Sequence, residues 1–174
     1  MPTPFLISSI NILFIFALVA LSCQEARARS FEDTYEATVI QVYDGDTFTA
    51  VYHDEEIRIR LYGIDAPENN QPWGKESKAF LEGMLLSETV VVRTLYLDRY
   101  GHEMAIIALP TGEVIQELLL QEGHAMVYPQ YCDNPRCTEW RELERKARKD
   151  RIGLWNSDGV IAPWEWIRTR FYAH

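Results

Sequence analysis

Residues 56–63 alternate without a break: Ile57, Ile59 and Leu61 fall on one side, and Arg58, Arg60 and Tyr62 on the other. A period of two is the mark of a half-buried strand. This stretch constrains the fold more than any other, because turn-forming carboxylate motifs bracket it. Asp44-Gly45-Asp46-Thr47 precedes it and Asp65-Ala66-Pro67-Glu68 follows. The pattern predicts a strand from Val39 to Tyr43, a turn at Asp44-Gly45, a returning strand from Thr47 to His53, a second turn at His53-Asp54-Glu55, and then the alternating strand. Residues 65–74 hold Pro67 and Pro72 and read as a loop. Further strands are expected at Thr89 to Leu97 and Glu103 to Leu109, with a hairpin turn at residues 99–102 between them. Pro110-Thr111-Gly112 breaks the second of these.

Helices are expected at Lys75 to Leu86 (Ala79, Phe80 and Met84 forming its apolar stripe), at Glu113 to Glu122 ending on Gly123, and at Thr138 to Asp150. Residues 29–35 read as a polar, frayed lead-in. Short strands with interspersed helices suit a small barrel with helical cover. The chain lacks the regular strand–helix–strand alternation of a doubly wound sheet.

The alternation places Arg60 opposite the apolar face, on a side that a neighbouring loop can cover. Three or four carboxylates then stand beside one arginine. Carboxylate oxygens suit a hard cation such as Ca²⁺, and a planar guanidinium grips a phosphate with two hydrogen bonds. A hard cation and an arginine around one anionic centre are the groups that metal-assisted phosphodiester hydrolysis requires. Each motif alone also reads as ordinary turn chemistry with solvated charges. Their joint placement about Arg60 points to a site.

The ordered set of motifs resembles the staphylococcal nuclease family. It runs from Ala37-Thr38-Val39-Ile40 through the two carboxylate motifs to Asp98-Arg99-Tyr100-Gly101, Gln121-Glu122-Gly123-His124-Ala125 and Gly153-Leu154-Trp155. It spans residues 35–168. The resemblance implies a five-stranded OB-type barrel (α+β) packed with about three helices, and Ca²⁺-dependent endonuclease activity on DNA and RNA. By position it implies that Asp46, Asp65 and the backbone carbonyl of Ala66 hold the metal, with Asp44 supporting them. It likewise implies that Glu68 orients or deprotonates the attacking water and that Arg60 binds the scissile phosphate. Arg99, Tyr100 and Tyr128 fall near the substrate groove. Tyr100, Tyr128 and Tyr131 are candidates to stack on bases, with packing the alternative for Tyr128 and the favoured reading for Tyr131 beside the cysteine loop, and Arg99 is either a phosphate contact or an exposed turn charge.

One position departs from the family. Its motif reads Asp-Arg-Tyr-Gly-Arg, the last residue being a second phosphate-binding arginine, and here it is His102. An imidazole cannot make the bidentate grip, and with an ordinary pKa it is mostly neutral at pH 7. Loss of one preorganised transition-state donor costs about 10²–10³ in rate. His102 could still donate to the leaving oxygen. The competing reading is a nucleic-acid-binding module with weakened catalysis.

The first 28 residues read as a secretory signal peptide. Residues 7–21 are nearly all apolar, and Ala26-Arg27-Ala28 offers a cleavage site. The run is short for a membrane span. Lipid attachment at Cys23 and a retained anchor are the alternatives. Export would make the mature chain, residues 29–174, a secreted or periplasmic domain with Cys132 and Cys137 as its cysteines. In such a compartment that pair is expected to form a disulfide, since a metal site needs more ligands than two cysteines supply. The net charge of −9 opposes long-range steering of a polyanion. It argues against a tight, non-specific coating protein and fits a hydrolase that binds weakly and turns over. Residues 141–151 mix charges of both signs at helical spacing and read as a solvated face. Trp155, Trp164 and Trp166 read as packing anchors for the last segment. A monomer is the default expectation.

Overall fold

The structure, a computed structural model, describes residues 34–171. The expectations for the signal segment and Cys23 lie outside these residues. The chain order is β1 (Thr34–Val42), β2 (Thr47–Tyr52), β3 (Glu55–Leu61), β4 (Ile64–Asp65), α1 (Gly74–Leu85), β5 (Thr89–Leu97), β6 (Glu103–Ala108), α2 (Ile115–Gln121), β7 (Met126–Val127), α3 (Cys137–Lys149), a 3₁₀ turn (Gly153–Asn156) and α4 (Pro163–Phe171). Strands β1, β2, β3, β6 and β5 close into a barrel in that order. β3 and β6 run parallel, and the other barrel neighbours are antiparallel. This is the five-stranded OB-type α+β architecture expected from the motifs. β4 and β7 form a separate two-stranded ribbon.

Alternation drives the closure. Ile57, Ile59 and Leu61 of β3 are buried, as are Val39 of β1, Ala50 of β2, Val90 and Val92 of β5, and Ala105 and Ile107 of β6. Closure gives each barrel strand a neighbour on both sides for at least part of its length. Leu81 and Leu85 of α1, Ile115, Leu119 and Leu120 of α2, and Trp140 of α3 join the same apolar core. Gln116 is fully buried because its amide completes the edge of β6. Its Oε1 accepts from Ile107 N at 3.2 Å, and its Nε2 donates to the Ala105 carbonyl at 2.9 Å.

Several expectations are corrected. β1 begins at Thr34, inside the supposed lead-in, because Thr34 through Thr38 pair with Arg93 through Thr89 of β5. Partner strands, which carry no local signal, define that end. In α1 the inward stripe is Ser77, Leu81 and Leu85. Phe80 and Met84 are only half-buried, and Ala79 is exposed because it lies roughly opposite Ser77 on the helix. A fourth helix, α4, follows the three expected. Tyr62, assigned to the polar face of its strand, is 2% exposed. Its hydroxyl donates to Asp133 and accepts from the backbone N–H groups of Asp133 and Asn134. The predicted Cys132–Cys137 disulfide is present, and Tyr62 therefore anchors the disulfide loop to the barrel. Gly63 makes this approach possible. It has φ +76°, and a Cβ there would sit 2.9 Å from the Trp140 ring and 3.0 Å from Cys132 Sγ.

The disulfide closes a short loop, so the entropic model assigns it about 2 kcal/mol. Replacing both cysteines by alanine is expected to lower unfolding free energy by about that amount, measured by urea denaturation. An unchanged midpoint would show that the Tyr62 hydrogen bonds hold the loop unaided.

Candidate active site

The loop between β1 and β2 delivers the first two carboxylates. Asp44 caps it, accepting the Asp46 N–H at 3.0 Å on Oδ1. Gly45 was expected to serve as the glycine of a hairpin turn, but it does not have positive φ. Glycine is required for a different reason: a Cβ there would meet Ala66 Cβ at 2.6 Å and Ser77 Cβ at 2.8 Å. The absent side chain lets the Asp44–Asp46 loop lie against the start of the Ala66–Trp73 loop and against α1.

Arg60 joins the two carboxylate motifs. Its NH1 lies 3.1 Å from Asp46 Oδ1, and its NH2 lies 2.5 Å from Asp65 Oδ1. Both aspartates are 2% exposed. Asp46 is further fixed by Thr47 Oγ1 on Oδ1 and by the Ala66 N–H on Oδ2, each at 2.9 Å. Asp65 is placed by the short ribbon, where it pairs with Met126. Glu68 is half-buried on the following loop, within reach of the charges of Asp46 and Arg60. That loop is held by Gln71, whose Oε1 accepts the Glu68 N–H at 3.2 Å. Gly74 closes it, since a Cβ there would overlap the Glu68 carbonyl oxygen.

Four carboxylates thus surround one guanidinium. Burial, and then the charge of Asp46, push Asp44 up to about 7 and Asp65 up to about 8. Burial likewise raises Glu68. Arg60 is held firmly protonated, chiefly by Asp46. The site is short of positive charge, and every candidate donor is a hard oxygen. Among the described residues no group of three or more His, Cys, Asp or Glu side chains stands ready as a metal cluster, since Asp46 and Asp65 are turned onto Arg60. The donor chemistry of Asp46, Asp65 and the Ala66 carbonyl nevertheless fits a hard dication, which would relieve the charge deficit.

Tyr128 stands at the edge of this cluster. Its backbone N–H donates to the Gly63 carbonyl at 2.9 Å. Burial raises its hydroxyl pKa first, then the nearby charge of Asp65. Tyr131 packs edge-on against Tyr128 at 4.7 Å. The structure does not bring the β5–β6 hairpin residues into contact with the carboxylates. His102 Nδ1 lies 3.0 Å from Asp98 Oδ2, and Asp98 Oδ1 accepts the backbone N–H groups of Tyr100 and His102. Arg99 packs over the Tyr100 ring at 4.9 Å. His102 precedes Glu103, the register partner of Ile59, so it stands one strand across from Arg60.

Two contributors were not foreseen. Trp164 of α4 stacks on Tyr128, with ring centroids 5.0 Å apart and planes 9° apart. Three hydrogen bonds tie the C-terminal segment to the Glu68 loop: Gln71 Nε2 to the Ile161 carbonyl at 2.7 Å, Trp73 Nε1 to Ser157 Oγ at 3.1 Å, and Trp166 Nε1 to Asn70 Oδ1 at 3.1 Å. The tryptophans were legible as anchors from their apolar bulk. Their partner, the catalytic-side loop, was not.

The raised carboxylates have a pH consequence. A group whose folded pKa lies above its unfolded value stabilises the fold below the unfolded pKa, and that contribution is lost as pH rises through the folded pKa. With chelator present, stability is therefore expected to fall as pH rises from about 4 to about 8. Asp44→Asn should remove a part of that fall on the order of 1–2 kcal/mol, allowing for solvent screening. Parallel slopes for both proteins in thermal or urea melts would contradict the crowding of Asp44.

Residues 58–157 match the family model described as staphylococcal nuclease homologue. The chain is 32% identical over 155 residues to an uncharacterized endonuclease of Escherichia coli, covering 89% of this chain and 93% of that protein. It is 32% identical over 142 residues to a micrococcal nuclease of Shigella flexneri, covering 77% and 81%. It is 36% identical over 161 residues to an uncharacterized 38.1 kDa protein of Capnoides sempervirens, where it spans 87% of this chain but only 46% of the relative. With the barrel order and the Asp46–Arg60–Asp65 arrangement already in place, these matches make the chain a member of the staphylococcal nuclease family.

Proposed function

We propose that this protein is a nuclease that hydrolyses phosphodiester bonds of DNA and RNA as a Ca²⁺-dependent endonuclease, favouring unpaired strands and leaving 3′-phosphate ends. The observation that carries the reading is Arg60 held by Asp46 and Asp65, with Glu68 on the adjoining loop. The printed names of the Escherichia coli and Shigella flexneri relatives support it.

Asp46, Asp65 and the Ala66 carbonyl are the groups to hold the ion. Bound there, Ca²⁺ would supply Lewis-acid stabilisation of phosphoryl charge. Arg60 grips the phosphate with its planar fork and offsets charge as the transition state forms. Glu68, its carboxyl raised by burial, takes the proton from the attacking water. The water oxygen bonds to phosphorus, the 5′ P–O bond breaks with its electron pair on the 5′ oxygen, and that oxygen takes a proton from solvent, so the products are a 3′-phosphate and a 5′-hydroxyl. A shallow OB groove suits an unpaired strand. The acidic net charge of −9 suits weak binding with turnover. We place this activity outside the cytoplasm, on the strength of the apolar N-terminal segment and the disulfide.

Cleavage of single-stranded DNA is expected with Ca²⁺ and not with chelator. Arg60→Ala and Glu68→Gln should each lower the rate by at least about 10²-fold with circular dichroism unchanged. Near-normal cleavage by either variant would remove the site assignment.

His102 is the position where the binding-module reading has support, because its ring is committed to Asp98. His102→Arg is expected to raise kcat, because a guanidinium offers the bidentate fork that an imidazole lacks. An unchanged kcat would show that this position contributes nothing to the reaction.

A further inference from the structure

The C-terminal helix lies beyond residues 58–157, the stretch that matches the family model, yet it packs directly on the site. Trp164 is stacked on Tyr128. Arg168 is four residues further along the same helix, and an i,i+4 pair shares one helix face about 6 Å apart. The charges of both Arg60 and Arg168 reach the Tyr128 hydroxyl, from which Asp65 is also felt. The two arginines therefore lie in range of one tyrosine, one supplied by β3 and one by α4.

Arg168 is exposed and makes no ion pair among the described residues. Most other arginines among the described residues are committed elsewhere, Arg93 on β5 excepted. Arg136, Arg145, Arg148 and Arg151 each hold a carboxylate, while Arg58 and Arg99 pack over tyrosine rings. The helix is not a loose tail at this point, because Trp166 and Ile161 are hydrogen-bonded to the loop that carries Glu68. At the opposite hairpin, the position where the family places a second arginine holds His102, turned to Asp98. In a chain of net charge −9, an uncommitted guanidinium beside the site is where a polyanion gains most.

We propose that Arg168, positioned by the Trp164–Tyr128 stack, is a substrate-binding residue that holds a backbone phosphate of the nucleic-acid strand next to the phosphate gripped by Arg60. The proposal rests on the nuclease reading and deepens it. It assigns to α4 a subsite that makes the preferred substrate an oligonucleotide of several phosphates rather than an isolated diester.

The test measures binding apart from cleavage. A fluorescein-labelled single-stranded oligothymidylate is titrated by anisotropy, with Ca²⁺, into full-length protein carrying Glu68→Gln. On that background Arg168→Ala is expected to weaken affinity about tenfold or more. It should also reduce the slope of log affinity against log salt by about 0.7, the value for one phosphate contact on a single strand. Arg168→Lys should restore the salt slope while recovering only part of the affinity, because it keeps the charge but loses the fork. Lys149→Ala, which removes one exposed charge from α3, serves as the control for general electrostatics. The proposal is overturned if Arg168→Ala matches the Lys149→Ala control in affinity and slope, or if the parent binds no oligonucleotide. The nuclease reading is judged separately, by cleavage with the unmodified chain. A protein that binds through Arg168 but does not cut would retain the subsite and lose the enzyme.

Discussion

The pairing of a partly exposed Arg60 with the buried Asp46 and Asp65 is the interaction on which the site depends. Carboxylates this deeply placed are costly to desolvate, and they persist only where partners satisfy them. Removing one member would leave the others buried and uncompensated. The arrangement therefore dictates what surrounds it. Gly45 must lack a side chain so that the first carboxylate loop can approach Ala66 and Ser77. The Ala66 N–H must turn inward to Asp46, and the β4–β7 ribbon must hold Asp65 in register. The barrel supplies the rigidity that lets three separate segments meet at one guanidinium.

The same cluster is out of electrostatic balance, and that imbalance links structure to chemistry. One arginine does not neutralise four carboxylates, so burial and mutual repulsion raise Asp44 and Asp65 far above ordinary carboxylates. A site in this state favours whatever brings positive charge, whether a proton or a hard cation. A fold selected for stability alone would have little reason to gather these charges. The contrast with α3 is instructive. Its Arg145–Glu142 pair is exposed and behaves as the solvated, mixed-charge face that the spacing predicts, worth little to stability, whereas Glu144 is half-buried and accepts the Val127 N–H.

The C-terminal segment changes how the site is bounded. Its hydrogen bonds to Asn70, Gln71 and Trp73 fix the loop that carries Glu68, and Trp164 backs Tyr128. On the other flank, Asp98 gathers the hairpin turn around itself and engages His102. The site thus has a firm wall formed by α4 and a hairpin flank whose histidine is already occupied. In this chain the two sides of the groove differ in where positive charge can be presented.

The amino-acid sequence by itself determined where the barrel strands lie, because β3 is written in a local period of two and turn residues bound its neighbours. It also determined the identity of Asp44, Asp46, Arg60, Asp65, Ala66 and Glu68 as a group, because the loops holding them flank one strand and need no distant partner to be recognised. The cysteine pair was equally local. Tertiary structure alone decided which contacts span long separations. Thr34 became a strand residue because β5 lay beside it, Tyr62 was buried because the disulfide loop closed over it, and Gln116 became a core residue because β6 had backbone groups to satisfy. Ala79 was exposed because the barrel set the rotation of α1. The meeting of Trp164 with Tyr128, 36 residues apart in sequence, had no local signature at all. Periodicity reports what a segment buries, whereas only the closed fold determines what it is buried against.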